Sequence, residues 1–115
     1  MALSRFRPRA FALAVLLTTG LAIAAHAENP LIELTIKNHQ FEPAELRIPA
    51  NTKVKLVVKN RDATPEEFES YELKREKIIA GNAEGIVFLG PLPAGTYPFF
   101  GDFNQDSAQG RVIVE

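Results

Sequence analysis

Acidic residues are concentrated in two segments of the sequence. Five of them fall within eleven positions: Glu66, Glu67, Glu69, Glu72 and Glu76. Two more, Asp102 and Asp106, follow an aromatic stretch near the end of the chain. If both segments meet at one end of a folded sheet, their carboxylates form an oxygen-rich site, which suits hard ions such as iron, manganese, calcium or magnesium.

The same acidic segment has a second interpretation. It also contains Lys74, Arg75 and Lys77, and mixed charge runs of this kind are typical of a solvated surface. The residue pattern alone leaves both interpretations open. The chain contains no phosphate-binding glycine motif, since Gly85, Gly90 and Gly95 match no such spacing.

The first 27 residues have the three parts of a secretory signal peptide. Arg5, Arg7 and Arg9 form a positive region, Ala10 to Ala25 is apolar, and Ala25-His26-Ala27 is a small-x-small cleavage site. The alternative is a membrane anchor, but the apolar run is short for a membrane span. We therefore predict a signal peptide at 1–27 and one exported domain at 28–115, without a membrane span.

Removal of 27 of the 115 residues leaves 88, with ten basic and fourteen acidic side chains and a net charge of −4. One histidine remains, His39, and neither cysteine nor methionine. Without thiolate, no iron–sulfur cluster, zinc–thiolate site or type 1 copper site is possible. The net negative charge argues against binding to nucleic acid or to an anionic membrane surface.

Short alternating strands dominate the rest of the chain. Ile32, Leu34 and Ile36 alternate with polar residues and predict a half-buried strand of an antiparallel sheet. Further strands are predicted near 45–48, 53–60, 86–89, 97–100 and 111–114. Strands at spacings of about 8–12 residues, separated by turn residues, predict an all-β sandwich or barrel.

The stretch from Asp62 to Gly81 is ambiguous. Thr64, Pro65 and Glu67 are placed as the N-cap, first position and capping-box acid of a helix. The apolar residues that follow do not keep a helical spacing, however. The competing prediction is a strand from Glu67 to Ser70, followed by a brief helical turn near 72–76.

Several motifs resemble the cupredoxin family. They are Phe41-x-Pro43, Leu46-x-Ile48-Pro49-Ala50, a strand ending in Asn60, and Pro93-Ala94-Gly95-Thr96-Tyr97-Pro98-Phe99. Four runs resemble one branch more narrowly, the cupredoxin-like proteins of bacterial ferrous-iron uptake. They are Glu67-Phe68-Glu69-Ser70, Arg75-Glu76-Lys77, Gly90-Pro91-Leu92 and Phe99-Phe100-Gly101-Asp102-Phe103.

The resemblance implies a Greek-key β-sandwich of about seven or eight strands, with residues 67–70 in a strand and at most one short helical turn. It also excludes the family's type 1 copper centre. The four ligand positions carry residues that cannot form it: Glu66, Gly101, Asn104 and Ala108. The metal-handling residues that it implies instead are all acidic: Glu42, Glu67, Glu69, Glu76 and Asp102. Tyr71 and Asn104 stand where many relatives have histidine.

The function implied by this branch is periplasmic. The expected protein binds iron through carboxylates and delivers it to an inner-membrane iron permease, together with other periplasmic components of the uptake system. One alternative is a ferroxidase, which would need O₂ or a partner as electron acceptor. Another is a metal-free structural partner of the transporter. We expect no catalytic residue under the delivery hypothesis.

Overall fold

The computed structural model describes residues 28–115, and the predicted signal peptide lies outside the described residues. Residues 28–115 form nine strands and one short 3₁₀ turn. Their bounds are β1 Leu31–Lys37, β2 Gln40–Glu42, β3 Glu45–Ile48, β4 Val54–Asn60, β5 Glu66–Ser70, β6 Arg75–Ile79, β7 Glu84–Leu89, β8 Gly95–Gly101 and β9 Gln109–Val114. The 3₁₀ turn is Asp102–Asn104. This part of the chain has no helix that is both long and apolar enough to cross a membrane.

The strands pack as two sheets. Sheet A has the order β2-β1-β4-β7, and sheet B has the order β3-β9-β8-β5-β6. The predicted all-β sandwich is confirmed. Both sheets are mixed, because β1 pairs in parallel with β4 and β3 pairs in parallel with β9. The expectation that the first strand lies in an antiparallel sheet is therefore wrong in part, since only its pairing with β2 is antiparallel.

The ambiguous stretch forms two antiparallel strands, β5 and β6, joined by a tight turn. The helix alternative is wrong, and so is the brief helical turn near 72–76, because strand β6 begins at Arg75. The physical reason is the alternation of β5: Glu66, Phe68 and Ser70 are buried while the two residues between them are not. That period of two can cover one face of the core only as a strand.

The centre of the core is aromatic. Phe41 contacts Phe99 edge-on with ring centroids 5.0 Å apart, and Phe68 lies 5.1 Å from Phe99. These rings come from β2, β5 and β8, so they join both sheets. Such aromatic pairs stabilise a core beyond the area that they bury. Because Phe68 belongs to β5, these contacts hold in place the strand that carries the acidic segment.

The carboxylate of Asp62 stabilises the turn between β1 and β2. Asn38 and His39 both have positive φ, 53° and 58°, the conformation of a type I′ hairpin turn. Their backbone N–H groups donate to the two oxygens of Asp62, at 2.8 and 2.9 Å. The hydrogen bond from the His39 backbone, ahead of that from Asn38, lowers the pKa of Asp62 because it stabilises the charged form.

The variant Asp62→Ala is expected to lose about 1–3 kcal/mol of unfolding free energy at pH 7, because two turn N–H groups lose their acceptor. The pKa of Asp62 is depressed in the folded state. Its contribution is therefore present above the unfolded pKa of about 3.9 and disappears as the pH falls through the folded pKa. Urea denaturation at pH 7 and pH 3 measures both effects, with Asp106→Ala as the control. Equal stability of Asp62→Ala and the parent at pH 7 would contradict this account.

Candidate metal centre

Strand β5 divides its side chains between the core and the surface. Glu66, Phe68 and Ser70 point inward, so Glu67 and Glu69 lie on the outer face of sheet B, where both are half-buried. Strand β6 is the edge strand beside it, and its Glu76 is exposed. Two neighbouring strands therefore present three glutamates on one face of the sheet.

The register brings these glutamates together. Glu69 and Glu76 are directly opposite partners across the β5–β6 pair. One carboxylate oxygen from each of Glu67, Glu69 and Glu76 can be chosen so that all three lie within 4.8 Å of one another. We call these three residues the acidic triad. Like charges directly opposite on neighbouring strands destabilise a sheet, so this arrangement is unfavourable in itself.

Glu67 is the triad residue whose pKa is shifted by its surroundings. Its pKa is raised, first because partial burial disfavours the charged carboxylate and then because of a hydrogen bond with Glu69. The negative charges of Glu76, Glu69 and Asp102 raise the pKa further. A cation placed among these oxygens would reverse the sign of that interaction, and three carboxylates are suitable ligands for a hard metal ion.

Asp102 lies at the start of the 3₁₀ turn, directly after β8. It is close enough for its charge to act on Glu67, but it is not a member of the triad. Its Oδ1 instead accepts a hydrogen bond of 2.8 Å from Gln105 Nε2. Asp102 is therefore a charged neighbour of the triad and not one of its three members, and its role as a metal ligand stays a prediction.

Glu42 is placed elsewhere. It lies at the end of β2 in sheet A, opposite Thr35, whereas the triad lies in sheet B. Glu72 is exposed in the turn between β5 and β6, and Asp106 is exposed in the loop before β9. The structure does not group any of these three residues with the triad.

An aromatic pair borders the triad, with one ring exposed and the other partly buried. Phe100 of β8 is the cross-strand partner of Glu69, and its ring lies 5.5 Å from that of Tyr71. Tyr71 is 71% exposed, which is unusual for a large aromatic residue. Sequence reasoning named both residues without predicting their contact, because the turn that carries Tyr71 was ambiguous between helix and strand.

Glu66 is the acid whose role the sequence did not reveal. It is 1% exposed, and its carboxylate accepts hydrogen bonds from the backbone N–H groups of Glu67 and Phe103 and from Asn104 Nδ2, at 3.0, 2.9 and 2.7 Å. A buried carboxylate needs such partners, and three donors supply them here. The signal was available in part: Glu66 has the same strand parity as Phe68 and must share its inward direction.

The surroundings of the Glu66 carboxylate show whether a type 1 copper site fits this chain. A Cβ added at Gly101 would lie 2.6 Å from the carboxyl carbon of Glu66 and 2.7 Å from Cβ of Ala108. The four positions that the family resemblance assigns to copper ligands therefore do come together. They contain a hydrogen-bonded carboxylate, a glycine, an amide and a methyl group in place of imidazole, thiolate and thioether. Because the chain has no cysteine, a type 1 copper site does not fit it.

Comparison with known proteins agrees with the observed fold. Residues 9–114 match the family described as the cupredoxin-like domain. A protein of uncharacterized function from Rickettsia prowazekii (strain Madrid E) is 47% identical over 83 residues, which are 72% of this chain. The chain spans 66% of the length of that relative.

Solved structures resemble the chain in fold at low sequence identity. Auracyanin A, a blue copper protein from Chloroflexus aurantiacus, has a TM-score of 0.64 at 17% identity, covering 74% of this chain and 98% of its own. The metal-binding domain of the Streptococcus pneumoniae D39 Cu(I)-exporting P-type ATPase has a TM-score of 0.63 at 14% identity, with coverage of 74% and 84%. Amicyanin from Paracoccus versutus has a TM-score of 0.55 at 19% identity, with coverage of 77% and 83%.

The match of the family over nearly the whole chain and the two-sheet fold lead to the same conclusion. This chain belongs to the cupredoxin-like domain family, as a member that lacks the type 1 copper ligands.

Proposed function

We propose that this chain is a periplasmic iron-binding protein of a ferrous-iron uptake system. It binds iron as cargo through the acidic triad and delivers it to an inner-membrane permease. The observation that carries the proposal is the approach of three carboxylate oxygens, from Glu67, Glu69 and Glu76, to within 4.8 Å of one another. The resemblance of the surrounding runs to the iron-uptake branch supports the choice of cargo, and the predicted signal peptide supports the location.

The donor set is suited to iron and manganese rather than to copper(I). Carboxylate oxygens are hard ligands, whereas copper(I) is selected by thiolate and thioether groups. The described domain contains neither cysteine nor methionine. A divalent ion would also neutralise two of the three negative charges and remove the repulsion between Glu69 and Glu76.

The position of the triad is suited to transfer rather than to storage. Glu76 lies on an edge strand and is exposed, so its carboxylate can exchange ligands with water or with a partner. Asp102 lies beside the triad and can supply a fourth carboxylate once Gln105 releases it. The exposed ring of Tyr71 adjoins the same face and offers apolar contact to a docking permease.

Iron binding is expected to depend on the triad. Isothermal titration of the domain with Fe(II) under anaerobic conditions, and with Mn(II) as a redox-inert probe, should show one site. Glu69→Gln and Glu76→Gln should each weaken binding about tenfold or more, because each removes a charged ligand from a cation.

Matched controls come from the acids that lie outside the triad. Glu72→Gln and Glu42→Gln make the same chemical change at positions that the structure does not group with the triad, and they should bind as the parent does. If no metal binds at micromolar concentration, or if the control variants weaken binding as much as the triad variants, the proposal fails. Aerobic consumption of more than one Fe(II) per protein would instead identify a ferroxidase.

The metal-free domain should become more stable when the triad loses a charge. Glu76→Gln removes the like charge opposite Glu69, so its melting temperature at pH 7 should exceed that of the metal-free parent. The same variant should lose the rise in melting temperature that the parent shows with Mn(II). A lower melting temperature in the metal-free variant would show that Glu76 has a favourable structural role and contradict this account.

The pH dependence follows from the raised pKa of Glu67. A raised folded pKa means that this group favours folding below its unfolded pKa of about 4.3, and that this contribution is lost as the pH rises through the folded pKa. Protons and metal compete for the same oxygens. Metal affinity should therefore fall as the pH is lowered from 7 to 4.5, as measured by titration at each pH, and Glu67→Gln should flatten the profile. A pH-independent affinity would contradict the role of Glu67.

A further inference from the structure

The outer face of sheet A differs in charge from the rest of the domain. Alternation and register place five basic side chains on it: Lys37, Lys53, Lys55, Lys59 and Arg61. Three acids share the face: Glu33, Glu42 and Glu84. Residues 28–115 together contain ten basic and fourteen acidic groups, so the remainder of the domain is strongly acidic. The net negative charge, which taken alone argues against an anionic membrane surface, therefore hides a basic face to which that argument does not apply.

The same face carries exposed apolar side chains at one end. Leu31, Ile86 and Phe88 are 58%, 45% and 42% exposed. Leu31, Lys55 and Phe88 form one row across β1, β4 and β7, and Glu33, Val57 and Ile86 form the next row. Adjacent rows lie about 7 Å apart, so these apolar groups make one continuous patch. We call this set, with Lys53 and Lys55, the lysine–apolar patch.

The lysines of this patch are available for an external anion. Among residues 28–115, neither Lys53 nor Lys55 has a carboxylate within 4.0 Å, whereas Lys59 pairs with Glu33 at 3.0 Å and approaches Glu84 at 4.0 Å. The Lys53 ammonium lies 4.7 Å from the centroid of the Phe88 ring, which holds the charge directly above an exposed apolar group. At the other end of the face, Lys37, Lys59 and Arg61 line an open depression of about 410 Å³.

We infer that the outer face of sheet A binds the surface of an anionic phospholipid bilayer. The apolar side chains of Leu31, Ile86 and Phe88 enter the interface, and Lys53 and Lys55 contact lipid phosphates. Three features favour a bilayer over a protein partner. The surface is a sheet face rather than a groove, its exposed apolar groups lie among cations, and its unpaired cations are flexible lysines, which bury their stems and keep the ammonium in the headgroup region.

This orientation has a functional consequence that is independent of the proposed cargo. The acidic triad lies on the outer face of sheet B, which is the opposite side of the sandwich. A domain that rests on the membrane through sheet A would present its acidic side away from the negative lipid surface. Delivery to a permease in the same membrane would then require the domain to leave the bilayer first. Electrostatics therefore reinforce the same orientation from both sides.

Vesicle sedimentation tests the inference. Both sheets and the core cluster lie within residues 28–115, so this domain is used, without the apolar run that precedes it. Vesicles of phosphatidylglycerol and phosphatidylcholine should bind the domain at least tenfold more tightly than vesicles of phosphatidylcholine alone. Added salt should weaken the binding, because it screens the lysines.

Two double variants separate the contribution of the lysine charges to vesicle binding from that of the apolar side chains. Lys53→Glu with Lys55→Glu should reduce binding tenfold or more, since each cation near an anionic surface contributes about fivefold. Ile86→Ser with Phe88→Ser should also reduce binding while all the charges stay unchanged. The matched controls make the same changes elsewhere: Lys74→Glu with Lys77→Glu, and Ile78→Ser with Phe103→Ser, whose side chains are 57% and 48% exposed.

The outcomes are decisive because all substituted side chains are accessible and circular dichroism checks that each variant folds. Binding that is lost only in the patch variants supports the inference. Equal binding to both kinds of vesicle, equal losses in the control variants, or binding that ignores Ile86 and Phe88 would overturn it. Binding to an acidic protein but not to the anionic vesicles would overturn it as well and identify a protein interface.

Discussion

The pairing of β5 with β6 is the interaction that creates the acidic triad. The register sets Glu69 opposite Glu76, and the alternation of β5 adds Glu67 to the same face. Three carboxylates are thereby held within 4.8 Å, with the pKa of Glu67 raised by burial and by its neighbours. Phe68 lies between the two outward glutamates in β5 and packs against Phe99 in the aromatic core, so the strand is held in place from the opposite face. A repulsive surface cluster is maintained where a cation can relieve it.

Glu66 has a structural role at a position that the family resemblance assigns to a copper ligand. Its buried carboxylate joins β5 to the 3₁₀ turn through Phe103 and Asn104, and it occupies the space beside Gly101. A Cβ at position 101 would collide with this carboxylate and with Ala108, so the buried glutamate requires a glycine there. These hydrogen bonds connect the elements that carry the positions assigned to copper ligands by the family resemblance. The acidic triad lies outside this closed site, on the neighbouring sheet face.

Much of the fold could be predicted from the sequence because alternation states directly which side chains face the core. Leu34 with Ile36 and Val54 with Leu56 are cases in which one strand face is apolar and the other polar. The β5–β6 hairpin could not be predicted from the same evidence. Helix-forming residues and a capping box competed there with a short alternation, and the tertiary contact of Phe68 with the core decided between them.

The alternation of a strand predicts which face of the sheet each acid lies on, but it does not predict which strands are neighbours. Glu67, Glu69 and Glu76 lie together because of a register that no local pattern specifies, and Glu42 had no local signal to show that its strand belongs to the other sheet. The inward direction of Glu66 was implicit in the parity of Phe68. The basic face of sheet A was hidden for a different reason, since its lysines come from two separate segments of the chain and a net charge averages over them.

The most direct test of the central claim is a crystal structure of residues 28–115 grown with Mn(II), with anomalous difference density measured at a wavelength where manganese scatters anomalously. The account predicts one peak bounded by the carboxylates of Glu67, Glu69 and Glu76. Density confined to other residues, or no density at a saturating concentration of the ion, would contradict it.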